Sequence, residues 1–272
     1  MRSTRMLSAL HTINRYPPNI PASIVAHYPA MKFGERQAGD RFALMLAPLA
    51  DRMIATARER DWVLTSPPVR NLPSGANLLC ERLQPLLHGT GLARMRLTDD
   101  AQFESIDAFR DHGDYARLGY DARRRAQYGA GDVDFDRAAL RGRNVIFVND
   151  INVTGSQLRW IEQVLETARP YAIHWLLVLN TTPSIGRRFP QLEDEINRSR
   201  FASHDEFADF LRGAEFRCTT KLVARLLGYG GDALRRILAA LDRSKRRGLV
   251  RAMFADGLYS DEFLREKFAA VL

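Results

Sequence analysis

The stretch NVIFVNDINVTGSQLRW, Asn144 to Trp160, decides how the rest of the chain is read. Val145, Ile146, Phe147 and Val148 form a short apolar, largely β-branched run, the pattern of a strand buried on both faces. The run ends in Asn149 and Asp150, and a turn carrying Thr154, Gly155 and Ser156 follows. Beyond it, Leu158, Ile161, Val164, Leu165 and Ala168 recur at helical spacing. The order is therefore strand, carboxylate, turn, helix. The first N–H groups of a helix have no partner inside it, and its dipole is positive there, so that end favours an anion such as phosphate. Gly155 permits close approach of the backbone. A carboxylate for sugar hydroxyls beside a phosphate cradle describes a sugar-phosphate site. The same residues also describe a plain N-capping turn with an incidental Asp.

The pattern repeats outward from this stretch. WVLTS (62–66), GLARMRL (91–97) and HWLLVLN (174–180) read as further short strands. A long helix is expected over 34–60, with Phe42, Leu46, Leu49, Met53 and Ala57 on one face, and another over 74–87 with Ser74 as its N-cap. Strands separated by helices predict an α/β fold: a Rossmann-like parallel sheet flanked by helices, whose ligands bind at the strands' carboxyl ends. Residues 31–199 form this core. Residues 1–30, with Pro17, Pro18, Pro21 and Pro29, read as an extended segment over the surface. Residues 200–272 show only helical patterns and read as a cap or accessory region, with Phe201, Phe207, Phe210 and Phe216 in its core. Residues 110–136 are rich in glycine and charge and are expected to be a long mobile loop of the kind that is often functional.

Composition narrows the class. The chain has 272 residues and a formal charge of +8, which favours anionic partners, either phosphorylated small molecules or nucleic acid. No apolar run reaches the roughly 20 residues of a membrane span, and the basic N-terminus lacks a signal-peptide pattern, so a soluble, cytoplasmic protein is expected. Cys80 and Cys218 have no second Cys or His at metal-ligand spacing and read as buried thiols.

VIFVNDINVTGSQ resembles the signature of type I phosphoribosyltransferases: four apolar residues, two acidic ones, three variable ones, Thr-Gly, one residue, and a hydroxyl residue. The resemblance implies the fold of those enzymes and binding of 5-phosphoribosyl 1-diphosphate (PRPP). Asn149 and Asp150 would meet the ribose hydroxyls, with Asp150 steadying the ribosyl cation. Val153, Thr154, Gly155, Ser156 and Gln157 would hold the 5′-phosphate. Mg²⁺ is the expected cofactor, carried mostly by the substrate's own oxygens, with Asp150 its indirect ligand. WVLTSPPVR falls where the family has its pyrophosphate loop, so Ser66, Pro67, Val69 and Arg70 would flank the diphosphate through backbone N–H and guanidinium groups. Arg123, Arg124 and Arg125 fall where it has a flexible catalytic loop. MKFGERQAGDRF resembles the Lys-x-Gly segment ahead of the core in some members, although Lys32 itself reads as a solvated lysine.

Two positions depart from the signature. The first acidic position is Asn149, and the final hydroxyl position is Gln157. The phosphate end is intact and the ribose end altered. The reading is a transferase that moves ribose 5-phosphate to a nucleobase-like acceptor and releases diphosphate, with room for a homodimer. The alternatives are a regulatory protein on the same fold, sensing PRPP or a nucleotide and binding nucleic acid through the basic cap, or an enzyme acting on the ribosyl-phosphate bond by another route. No helix-turn-helix or RNA-binding signature supports nucleic acid as a partner.

Overall fold

The computed structural model describes residues 4–57, 61–69, 71–87, 92–94, 97–99, 133–201 and 203–255. The chain opens with strand β1 (Thr4–Ile13), two short helices, α1 (Ala22–Val25) and α2 (Tyr28–Lys32), and the long α3 (Arg36–Ala55). Next come β2 (Trp62–Thr65), α4 (Gly75–Leu83) and β3 (Ala93–Arg94). A separate antiparallel pair, β4 (Thr98–Asp99) and β5 (Val133–Asp134), leads into the turn of helix α5 (Arg137–Leu140). Then follow β6 (Asn144–Asn152), α6 (Ser156–Glu166), β7 (Ala172–Thr181), α7 (Pro183–Arg188) and α8 (Leu192–Arg198). The C-terminal region consists of α9 (His204–Gly213), α10 (Thr220–Leu227), α11 (Gly231–Ala239) and α12 (Arg243–Ala255).

The main sheet is parallel, in the order β1-β7-β6-β2-β3. Both faces are covered, which is why β6 reads as a continuous apolar run rather than an alternating one. Val145 and Phe147 pack with Leu158, Ile161 and Leu165 of α6 on one face. Ile146 and Val148 pack with Phe42, Leu46 and Met53 of α3 and Leu79 and Leu83 of α4 on the other. Ser74 caps α4 as expected, in a reciprocal box with Asn77.

The N-terminal thirty residues differ from the expectation of an extended surface segment. Thr4–Ile13 is the edge strand of the main sheet, in register with Ala172–Thr181 of β7. Tyr28, Ala30, Met31 and Lys32 are buried against the core. The register supplies the physical reason: β7 would otherwise present an unpaired apolar edge, and β1 covers it.

The loop expected at 110–136 lies outside the described residues as far as 132. From Val133 the chain is instead strand β5 and then Asp136, which caps α5 by accepting from Ala138 and Ala139.

The C-terminal helices hold their own apolar cluster, with Phe201 and Phe207 buried in it and Phe210 and Phe216 packed against it. Phe33, immediately after α2, inserts into the same cluster. Around it Arg217 N donates to Gly34 O at 3.1 Å and Thr219 Oγ1 donates to Lys32 O at 2.9 Å. Gly34 has φ +89°, and a Cβ there would meet Arg217 O at 1.9 Å, so the close approach requires glycine. The cap is thus fastened to the core at residues 32–34. Among its basic residues, Lys245 is used internally, donating to the Leu211 and Arg212 carbonyls. Both cysteines are free; Cys80 is buried, and Cys218 is partly exposed with its thiol pushed up to about 11 by burial. Among the described residues no helix is long and apolar enough to cross a membrane.

Candidate sugar-phosphate site

The turn between β6 and α6 is built for a fixed backbone. Gly155 has φ +73°, the left-handed region, and is the N-cap of α6. Its N–H donates to Asn152 Oδ1 at 2.9 Å, and Asn152 Nδ2 donates to Asn180 Oδ1 on β7 at 2.7 Å. Thr154 Oγ1 accepts from Ser156 N at 3.3 Å and donates to Ser156 Oγ at 3.0 Å. From behind, Thr181 Oγ1 donates to Val153 O at 2.6 Å. Helix α7 also comes so close that a Cβ on Gly186 would lie 1.8 Å from Val153 O. Val153 itself is buried in the core, so of the five residues expected to hold phosphate it supports the turn rather than lining it. The N–H groups of the first turn of α6 have no acceptor inside the helix and define the anion-favouring end. Asn152, Asn180, Thr181 and Gly186 were not foreseen; only the Thr-Gly turn they brace has a local signature.

The two residues before the turn part company. Asn149 lies on the α6 side, where its Nδ2 donates to Gln157 Oε1 at 2.9 Å. The two departures from the family signature are therefore partners: an amide pair replaces an acid and a hydroxyl. Asn149 Oδ1 also accepts from Asp150 N at 2.9 Å.

Asp150 is only 5% exposed and lies toward α2 and α8. Its Oδ1 accepts from Ile151 N at 2.7 Å, and its Oδ2 accepts from the Lys32 ammonium. The same ammonium donates to Glu193 Oε1 on α8 at 2.9 Å. Lys32 is 7% exposed, which corrects its reading as a solvated lysine. An ammonium cannot leave water this far without anionic partners, and two carboxylates supply them. Burial by itself lowers the lysine pKa, but Asp150 and then Glu193 more than offset it and hold it well above the ordinary 10.5. Tyr28, one helical turn before Lys32, has its ring 5.9 Å from the ammonium. Burial first, and the Asp150 charge second, raise its hydroxyl well above the ordinary 10.0.

Lys32 is clamped on both sides. Thr219 of the cap holds its carbonyl, and Gly75 packs so closely that a Cβ there would be 3.0 Å from Lys32 Cα. Its ammonium is a resident charge of the site. This bears on the expected Mg²⁺. Among the described residues no group of three or more His, Cys, Asp or Glu could hold a metal ion. Asp150, the indirect ligand, already carries a cation on Oδ2. A divalent ion about 4 Å from that ammonium would meet a repulsion of ~8 kcal/mol at an effective dielectric of about 20. Among the described residues the donor set does not fit a protein-held divalent metal.

The segment expected to bind diphosphate follows β2, next to β6 in the sheet. Asn77 Nδ2 donates to Pro67 O at 2.6 Å and to Ser66 Oγ at 3.0 Å, so the third residue of α4 fixes this turn. Val69 N donates to Leu97 O at 3.0 Å. That N–H is engaged within the fold. Arg70 and Arg123, Arg124 and Arg125 lie outside the described residues.

The family model described as PRTase ComF-like matches residues 4–271. The chain belongs to that family. The match extends through the C-terminal helices, so the family is defined over the cap as well as the sheet. No curated protein matches the chain significantly. Solved structures similar to it include a hypoxanthine-guanine phosphoribosyltransferase from Bacillus anthracis, 13% identical over 59% of this chain and 70% of that one, with a TM-score of 0.33. A hypoxanthine phosphoribosyltransferase from Staphylococcus aureus is 12% identical over 60% of this chain and 67% of that one, with a TM-score of 0.35. At that overlap no residue role passes from them to this chain.

Proposed function

We propose that the protein binds PRPP at the carboxyl ends of β6 and β2 and transfers its ribose 5-phosphate group to a nucleobase-like acceptor, releasing diphosphate. The observation that carries this reading is the braced left-handed turn at Gly155, set beside Asp150 at the end of a parallel strand in a chain of the PRTase ComF-like family. The Thr154 and Ser156 hydroxyls and the first-turn N–H groups of α6 beyond Ser156, whose own N–H is donated to Thr154 Oγ1, hold the 5′-phosphate. The ribose then extends toward Asn149 and Asp150. As the C1–O bond breaks, its electron pair leaves with the diphosphate and positive charge develops on the ribosyl ring. Asp150 is assigned to stabilise that charge, its carboxylate already fixed by Ile151 N–H and Lys32 so that it need not reorganise. The acceptor nitrogen adds to C1 and loses its proton. Arg70 and Arg123–Arg125 are the guanidinium groups proposed to meet the leaving diphosphate.

A second reading has an observation of its own. Asn149 is neutral and Asp150 shares an ammonium, so the sugar end offers less negative charge to a ribosyl cation than an acidic pair does. That favours a regulatory protein which binds the ligand without turning it over. Titration calorimetry with PRPP, followed by diphosphate release over a panel of nucleobases, separates the two. Binding with release supports the transferase, and binding without release on any base supports the sensor. Absence of binding overturns both.

A further inference from the structure

We propose that Lys32 does at the sugar end of this site what a divalent cation would otherwise do, so that the protein takes its phosphoribosyl ligand without metal. The inference rests on the proposed ligand class and deepens it. Among the described residues, the four groups in contact here bear on the charge where β6 ends: Asn149 contributes none, Asp150 and Glu193 one negative charge each, and Lys32 one positive. The ammonium lies on Asp150 Oδ2, and Ile151 N–H lies on Oδ1, so each carboxylate oxygen already has a donor. Asn149, where the signature has an acid, is turned to Gln157 and adds no anionic ligand.

The cation is held in place by the fold. Its helix is pinned between α4 at Gly75 and the cap at Thr219, and the side chain lies between two carboxylates that come from different elements. A hydrated Mg²⁺ keeps most of its waters and demands near-octahedral room. Lys32 supplies positive charge at the same carboxylate with no such demand. Its ammonium has three donors, of which two reach Asp150 and Glu193. The ligand class is therefore a ribose 5-phosphate ester recognised as the free anion rather than as its magnesium complex.

The test is PRPP affinity by titration calorimetry in EDTA and in saturating Mg²⁺, on the native protein. The expected result is binding in EDTA within about threefold of that in Mg²⁺. Binding that weakens by about tenfold or more in EDTA overturns the inference and leaves the proposed function standing. Absence of binding in both conditions overturns the two together. A second arm uses Lys32→Met and Mn²⁺ alone, read as the thermal midpoint. Removal of the resident cation opens Asp150 Oδ2 to another, so the variant gains a Mn²⁺-dependent stabilisation that the native protein lacks. An equal response of the two proteins counts against the inference. The calorimetric arm decides the matter even where the variant does not fold.

Discussion

Replacing Lys32 by Met removes the ammonium while keeping most of the side-chain volume, and its consequence can be worked from the geometry. The Lys32, Asp150 and Glu193 side chains are 9%, 8% and 13% exposed, so solvent screens their interaction little. Removing one partner from a buried ion pair costs about 3–5 kcal/mol, because it strands the charge left behind. Here the ammonium is withdrawn from both Asp150 and Glu193, whose carboxylates then face one another. A loss of this size is a large share of the roughly 5–15 kcal/mol that holds a domain folded. It lowers the midpoint of thermal unfolding by roughly 6–20 °C, at about 2–4 °C per kcal/mol. Asp150→Asn, by contrast, leaves Lys32 paired with Glu193, a neutral pair, and costs about 1–3 kcal/mol. The order, Lys32→Met worse than Asp150→Asn, is diagnostic.

The pH dependence supplies a second sign. The Lys32 pKa is raised on folding, so its contribution is complete below 10.5 and is lost as pH rises through the higher folded value. Tyr28, also raised, acts in the same direction above 10.0. The native protein therefore loses stability in alkali. In Lys32→Met the facing carboxylates raise one another's pKa, and the variant regains stability as pH falls. Urea denaturation followed by circular dichroism across that range measures both effects. If Lys32→Met stays within about 0.5 kcal/mol of native, as surface substitutions do, Lys32 is a solvated surface residue and the triad is refuted.

Gly186→Ala places a Cβ 1.8 Å from Val153 O, so α7 must move off the phosphate turn; a stability loss of about 1–3 kcal/mol and a weaker PRPP titration are expected. A variant that binds normally would show that α7 does not brace the turn. Asn149→Asp restores the acidic pair, and Gln157 can turn its amide to donate instead of accept. Stability should change by less than about 1 kcal/mol, as at an interchangeable hydrogen bond, while diphosphate release rises. Release that is unchanged or falls would remove Asn149 as a determinant of the sugar end.

What the sequence revealed follows how locally each feature is encoded. Strand β6, the Thr-Gly turn and α6 are contiguous, and their periodicity and signature sit within one stretch of 17 residues, Asn144 to Trp160. The capping of α4 by Ser74 is likewise a short-range pattern. Strand β1 was missed because TRMLSALHTI mixes polar and apolar residues on an edge strand, and its partner β7 is far along the chain. Lys32 was misjudged for the same reason: Asp150 and Glu193 lie 118 and 161 residues away, so nothing near Lys32 announces its burial. The Asn149–Gln157 pair was visible only as two separate departures, and its meaning needed the turn that brings them together.

The most direct test of the phosphate turn is a PRPP titration of the native protein beside Gly155→Val. At φ +73° a β-branched residue is strained by roughly 1–3 kcal/mol, and among the described residues the new Cβ meets closely the far end of the Arg159 side chain, at 3.0 Å, so the variant should fold. The β-branched side chain, however, occupies the space through which the backbone approaches the phosphate. The account predicts that native protein binds PRPP, and that Gly155→Val, still folded by circular dichroism, binds it at least about 100-fold more weakly, some 2.7 kcal/mol. Equal affinity in the two proteins would contradict it, because the phosphate would then lie somewhere other than the turn that follows β6.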